Sequence, residues 1–138
     1  GYDPRMTELP DWARHSMSAL DSKMGLELLE VTGQRTRGRM PVEGNTQPFG
    51  IWHGGASCVL AETLASLAGH AEVQPDGVAM GLELNATHHA PARDGWVDGV
   101  ATAVHIGGRT ATNEVVLTNG EQRICTARVT IFLKRGRR

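Results

Sequence analysis

A chain of 138 residues with 14 basic and 15 acidic side chains carries a formal charge of -1. That length suits one domain with one ordinary hydrophobic core, and the balance of charge supplies no pull toward nucleic acid or an anionic membrane. Its two cysteines, Cys58 and Cys125, make neither a disulfide framework nor a CxxC metal motif and suit a reducing cytoplasm. No apolar run approaches the length of a membrane span and the N-terminus lacks the core of a signal peptide, so a cytoplasmic protein without a membrane partner is expected.

Gly1 to Arg5 precede Met6, and residues 1–8 are set aside as a flexible or vector-derived N-terminus. A short helix is predicted from Asp11, with Trp12, Leu20 and Met24 on one side and Gly25 as its stop. Leu26–Val31 and Gln34–Val42 read as two strands around Thr32-Gly33, with the glycine supplying the unusual backbone angles of a hairpin turn. Glu43-Gly44-Asn45-Thr46 breaks that pattern and leads into the loop Gln47-Pro48-Phe49-Gly50. His53 then meets the pair Gly54-Gly55, and roughly fifteen helix-compatible residues follow to Gly69, apolar or small on nearly every face.

A helix that apolar is expected to be buried. Its one charged side chain before Gly69 is Glu62, a carboxylate that would be costly to bury unpaired. No Ser, Thr, Asp or Asn directly precedes the glycines, so the first-turn N–H groups are expected to be free to face an anionic oxygen.

Beyond the helix, Pro75-Asp76-Gly77, Asp94-Gly95, Gly107-Gly108 and Asn119-Gly120 mark reversals between antiparallel strands of about ten residues. Met80, Leu82, Leu84, Ala86 and His88 fall on one face of the first of these strands, with Glu83, Asn85, Thr87 and His89 on the other. In the last strand Cys125, Ala127, Val129, Ile131 and Leu133 form an apolar stripe opposite Arg128 and Thr130. Two strands, a helix and four more strands make an α+β order, with a long antiparallel sheet wrapped around one central apolar helix. Residues 1–138 are expected to form this single domain, with 134–138 as a basic tail; the tail reads as solvated, with contact to a ligand's phosphates as the alternative.

Among chemistry-bearing residues, Glu62 is read either as a carboxylate tying helix to sheet through an ion pair or as a catalytic group near a reacting carbonyl. The N–H of Gly54, helped by the helix dipole, can polarise a carbonyl and hold the oxyanion that develops. Ser66, one helical turn beyond Glu62, can face the same side. His53, His88, His89 and His105 invite a metal reading, but His88 and His89 alternate across a strand and no HxxxH or HExxH spacing occurs, so no metal is expected. Arg93 and Arg109 are candidates for phosphate, since a guanidinium binds an oxyanion through two hydrogen bonds.

The run QPFGxxHGGASxxLAE, with Glu62 eight residues after Gly54, resembles the hotdog-fold acyl-CoA thioesterases. More closely, the stretch from Met24 to Leu133 is similar to the branch containing the Arthrobacter-type 4-hydroxybenzoyl-CoA and the 1,4-dihydroxy-2-naphthoyl-CoA thioesterases. The resemblance implies hydrolysis of an aromatic acyl-CoA to free acid and CoA, with coenzyme A as part of the substrate and no separate cofactor. It implies Glu62 as nucleophile or general base, with Gln47, His53 and Ser66 orienting carbonyl and water. Gly55 and His88 are placed near the substrate, and His105, Gly108 and Arg109 in a turn near the pantetheine and nucleotide.

The resemblance also implies a homodimer whose site takes Glu62 from one subunit and the HGG donor from the other, and a tetramer of two dimers. Asn113 stands where the family often has tryptophan. The alternatives are a thioesterase of broad or aliphatic range, a hydratase, and a non-catalytic acyl-CoA-binding protein; the last two would not need Glu62 at this spacing.

Overall fold

The central helix owes its burial to composition. Of its side chains Leu60, Ala61, Leu64 and Ala65 are fully buried, and each such leucine contributes about 2 kcal/mol relative to exposure. The computed structural model describes residues 9–136; the N-terminal segment 1–8 and Arg137 and Arg138 of the basic cluster lie outside the described residues. In chain order the elements are α1 (Asp11–Arg14), α2 (Ala19–Met24), β1 (Glu27–Val31), β2 (Arg35–Pro41), α3 (Gly54–Val73), β3 (Val78–His88), β4 (Trp96–Ile106), β5 (Thr110–Asn119) and β6 (Gln122–Lys134). The six strands form one antiparallel sheet in the order β1-β2-β4-β5-β6-β3, and α3 packs against it. This is the hotdog arrangement expected from the sequence.

The expected N-terminal helix is two short ones. Ser18 breaks it by capping α2, accepting the N–H of Asp21, and Leu20 is turned out at 52% exposure rather than joining Trp12 and Met24. Gly25 does stop α2, in the left-handed conformation at φ 77°. Gly33 corrects another expectation, because it is not among the positive-φ glycines. Thr32 closes that turn instead, its hydroxyl donating to Arg35 O at 2.8 Å and accepting Arg35 N–H at 2.9 Å. A side chain at Gly33 would meet Glu72 Oε2 at 2.7 Å, which is a packing reason for glycine.

Gly69 does not end α3, which runs on to Val73. A Cβ there would stand 2.8 Å from Cγ2 of Ile131, so its smallness lets helix and sheet approach. The apolar stripe of β6 from Cys125 to Leu133 faces the helix as expected, every second residue buried. The stripe of β3 does not. A bulge between Gly81 and Glu83 takes Leu82 out of register with β6. Ala79 and Gly81 face the helix before the bulge, and Leu84, Ala86 and His88 after it; Met80 and Leu82 are turned out at 59% and 60% exposure.

Candidate active site

The approach to α3 is held by backbone-directed bonds. Asn45, nearly buried, donates to the carbonyls of Met24 and Pro41 at 2.8 Å each, and its own carbonyl accepts His53 N–H at 2.9 Å. Gln47 organises the next turn: its N–H donates to Ile51 O at 2.8 Å, its carbonyl accepts Gly50 N–H at 3.0 Å, and its side-chain oxygen accepts Phe49 N–H. Phe49 projects from that turn at 88% exposure. Trp52 ties the loop to the helix and to the β3–β4 connection, its indole donating to Ser57 Oγ at 2.7 Å and its N–H to Ala92 O at 2.8 Å.

The helix start is not bare. His53 is the N-cap, and its Nδ1 accepts Gly55 N–H at 2.7 Å. A neutral imidazole accepting at Nδ1 carries its proton on Nε2, which leaves His53 a donor for a ligand. Gly55, expected near the substrate, therefore gives its N–H to His53. Gly54 N–H has no partner among the described residues and keeps the advantage of the helix dipole. His88 lies against this point, since a Cβ on Gly54 would be 3.0 Å from its Nε2. His89 turns to the outer face, where it bonds Thr126 Oγ1 at 2.9 Å.

Glu62 sits elsewhere. It lies on the exposed side of α3 beside Gly81 of β3, whose Cβ would approach its carboxyl carbon to 3.4 Å. The sequence suggested a buried carboxylate; instead it opens into a cleft of about 610 Å³ and has no hydrogen bond or ion pair among the described residues. Cys58, Ser66 and His70, each a turn or two away along α3, line the same cleft. Trp12, Ser16, Ser18 and Leu20 form its opposite wall, and Leu84 comes from β3.

That N-terminal wall is clamped. Buried Asp21 accepts Thr63 Oγ1 and Ser18 Oγ, both at 2.8 Å. Sequence reasoning missed the clamp although Ser18-Ala19-Leu20-Asp21 carries the spacing of a capping box. It also missed His70, which continues the Glu62, Ser66 spacing by one more turn.

The candidate CoA residues do not gather at one place in this chain. Arg93 follows Ala92, which is bonded at the start of α3. His105, Gly108 and Arg109 lie at the β4–β5 turn, which Arg135 joins to the other end of the helix. Arg135 donates to Gly108 O at 3.1 Å and Gly107 O at 2.9 Å and pairs with Glu72 at 3.5 Å. Of the expected basic tail, Lys134 belongs to β6 and Arg135 is thus fastened.

Two thiols lie near the helix start. Burial pushes the pKa of the Cys125 thiol up; a hydrogen bond with Ser57 partly offsets this and neighbouring Cys58 adds to it. Both cysteines are free. Among the described residues no helix is long and apolar enough to cross a membrane.

Residues 49–126 match the model of the Thioesterase superfamily. The chain belongs to that superfamily. It is 35% identical over 129 residues to the proofreading thioesterase EntH of Cronobacter turicensis, covering 86% of this chain and 94% of that protein. A thioesterase from Haemophilus influenzae superposes with a TM-score of 0.83 at 30% identity, over 91% of this chain and 89% of that one. A Staphylococcus aureus thioesterase, solved as alanine variants at a glutamate and separately at a glutamine, superposes with a TM-score of 0.78 at 34% identity in the glutamate variant, over 83% of this chain and 98% of that one. As a member of the Thioesterase superfamily this chain is a thioester hydrolase.

Proposed function

We propose that the protein hydrolyses acyl-CoA thioesters with an aromatic acyl group, of the hydroxybenzoyl or 1,4-dihydroxy-2-naphthoyl kind, as the resemblance to that branch suggests. The observation that carries the reading is Glu62, an unpaired carboxylate on the wall of the cleft with Ser66 one turn away. The S. aureus thioesterase was altered at a glutamine and at a glutamate fifteen positions apart, and Gln47 and Glu62 stand at that same separation.

Gly54 and Glu62 are eight positions apart on one helix, a rise of about 12 Å. A side chain as short as glutamate does not close that gap to reach a carbonyl held at Gly54 N–H in the same chain. The pair acts on one thioester when Gly54 comes from one subunit and Glu62 from its partner, so the dimer is the minimal enzyme. Exposed Val78, Met80 and Leu82 on edge strand β3 support self-association there, and we read the full assembly as a dimer of dimers. The same arrangement lets Arg93, near the start of α3, and Arg109, in the turn fastened near its other end, approach one CoA from two subunits.

In this scheme Gly54 N–H polarises the thioester C=O and holds the oxyanion as it forms. Glu62 either attacks the carbon, expelling CoA thiolate and leaving a mixed anhydride for water to open, or takes the proton from an attacking water. Oxygen-18 entering the Glu62 carboxylate over repeated turnovers supports the anhydride; its absence supports direct attack by water. His53, Gln47 and Ser66 orient carbonyl and water. The two free thiols support a reducing cytoplasm as the compartment.

The test is release of CoA thiol across benzoyl, hydroxybenzoyl, hydroxynaphthoyl, phenylacetyl and straight-chain acyl-CoAs, with Glu62→Gln in parallel. Turnover concentrated on aryl thioesters and lost in the variant is expected. Turnover confined to straight-chain substrates overturns the aromatic assignment, and an unaffected variant overturns the role of Glu62.

A further inference from the structure

The N–H of Gly54 and the carbonyl of His53 belong to one planar peptide unit, so whatever holds that carbonyl also aims the N–H. His53 O accepts Ala56 N–H at 2.9 Å, but the bond from Ser57 N–H, which completes the first helical turn, is long at 3.4 Å, outside the ordinary range of about 2.7–3.2 Å. Gly54 and Gly55 follow His53, and two successive glycines bring no side-chain restraint of their own. Backbone alone leaves this peptide unit loosely aimed.

Side chains supply the missing restraint. The Trp52 indole donates to Ser57 Oγ at 2.7 Å, with both side chains buried, and this bond closes residues 52–57 into a ring that contains Gly54. An indole only donates, so Ser57 Oγ accepts from it and keeps its own proton for another partner. That partner is the Cys125 thiol, fully buried and hydrogen-bonded with Ser57.

The hydroxyl therefore reaches further than its own turn. Cys125 is the cross-strand partner of His88, whose ring lies against Gly54. Trp52 is anchored on the other side, its N–H donating to Ala92 O at 2.8 Å. One Oγ thus joins the loop before α3, the first turn of α3 and the strand pair that carries His88.

Resting on the reading of Gly54 N–H as the group that polarises the thioester, we propose that Ser57 is a positioning residue for that donor. Buried at 1% exposure, it lies out of the substrate's reach and acts by closing the Trp52–Ser57 ring, which fixes the direction of the His53–Gly54 peptide beside His88. A donor aimed in advance needs no reorganisation while the oxyanion forms.

The experiment reads the polarised carbonyl itself. The ligand is the hydrolysis-proof analogue of whichever panel thioester the wild type turns over fastest, with a methylene between sulfur and acyl carbon and carbon-13 at the carbonyl. Isotope-difference infrared spectra give its C=O stretch when bound to the wild type, Ser57→Ala, Trp52→Phe and Ser57→Thr. The wild-type band is expected below its position in water. In Ser57→Ala and Trp52→Phe it should return at least halfway to that position, and kcat on the thioester should fall about tenfold with KM kept within about threefold. Ser57→Thr, which keeps the hydroxyl, should retain the band and most of kcat.

A purely structural Ser57 would lower stability but leave the band and the kcat of folded protein unchanged. A band that stays at its wild-type position in either Ser57→Ala or Trp52→Phe overturns the role of Ser57 and leaves the Gly54 reading in place. A wild-type band at the position in water overturns both. Trp52→Phe removes the same bond from the other side while keeping the ring's bulk, so it decides alone should Ser57→Ala not fold.

Discussion

A methyl group on Gly54 would stand 3.0 Å from Nε2 of His88 and 3.1 Å from its Cε1, so the first residue of α3 and the last of β3 share one small volume. Gly54→Ala must displace the imidazole or the helix start. The shift required is a few tenths of an ångström, well short of the displacement near 1 Å that costs about 10²-fold in rate. The expected outcome is a smaller loss in kcat/KM, about threefold to tenfold, with much of it regained in Gly54→Ala/His88→Ala, where the obstructing ring is absent. An equal loss in the single and double variants would place the defect in the backbone instead.

Glu62 is exposed and unpaired among the described residues, so Glu62→Gln is expected to change stability by no more than about 0.5 kcal/mol. Turnover should fall by about 10² or more. Thermal unfolding beside steady-state kinetics separates the two; a variant that melts many degrees lower would mean Glu62 has a structural task that its surroundings do not reveal.

The Trp52 indole depends on one acceptor. Ser57→Ala removes it and leaves a buried N–H unsatisfied, at a cost of about 1–3 kcal/mol. Changing both partners, Trp52→Phe with Ser57→Ala, should cost less than adding the two single effects. Urea unfolding of the four proteins gives the coupling directly.

Burial holds the Cys125 thiol protonated above its ordinary range. Below about pH 8.5 the unfolded thiol is protonated too and no pH dependence arises. Above that, the unfolded chain loses its proton while the native one keeps it, so the unfolded state binds fewer protons and stability falls as pH rises. Cys125→Ala should remove that part of the decline, measured by denaturant midpoints between pH 7 and 10. In the native protein a thiol reagent should reach Cys58 well before fully buried Cys125.

Leu82 is largely exposed on the sheet edge. Leu82→Lys should leave the fold of each chain intact while dividing the assembly, and activity should fall together with molecular mass in light scattering. A monomer that retains full activity would sink the two-subunit site.

Much of this architecture is legible in the sequence because its signals are periodic. The stripe from Cys125 to Leu133 alternates without interruption, and α3 is apolar or small on nearly every face. The phase of β3 is not legible, since a bulge is a backbone event and Gly81-Leu82-Glu83 reads like any other alternating segment. Glu62 stands out because nothing near it is charged. That it is exposed rather than buried is a tertiary outcome, since Glu62 opens into the cleft that α3 forms with the N-terminal helices and β3. The resemblance places His53 among the residues orienting carbonyl and water; its Nδ1 has a second task as the helix cap, for which Ser, Thr, Asp and Asn are the usual signals. Trp12 and His70 meet only through the fold, so neither marks the cleft by itself.

Arg135 binds two carbonyls of the β4–β5 turn and the carboxylate of Glu72 at once, and Glu72 in turn rests against Gly33. The hairpin at the front of the chain, the last turn of the central helix and the loop carrying His105, Gly108 and Arg109 are therefore stitched together through one arginine and one glutamate. Arg135 is the keystone of that corner, and its loss leaves two turn carbonyls and a carboxylate to water.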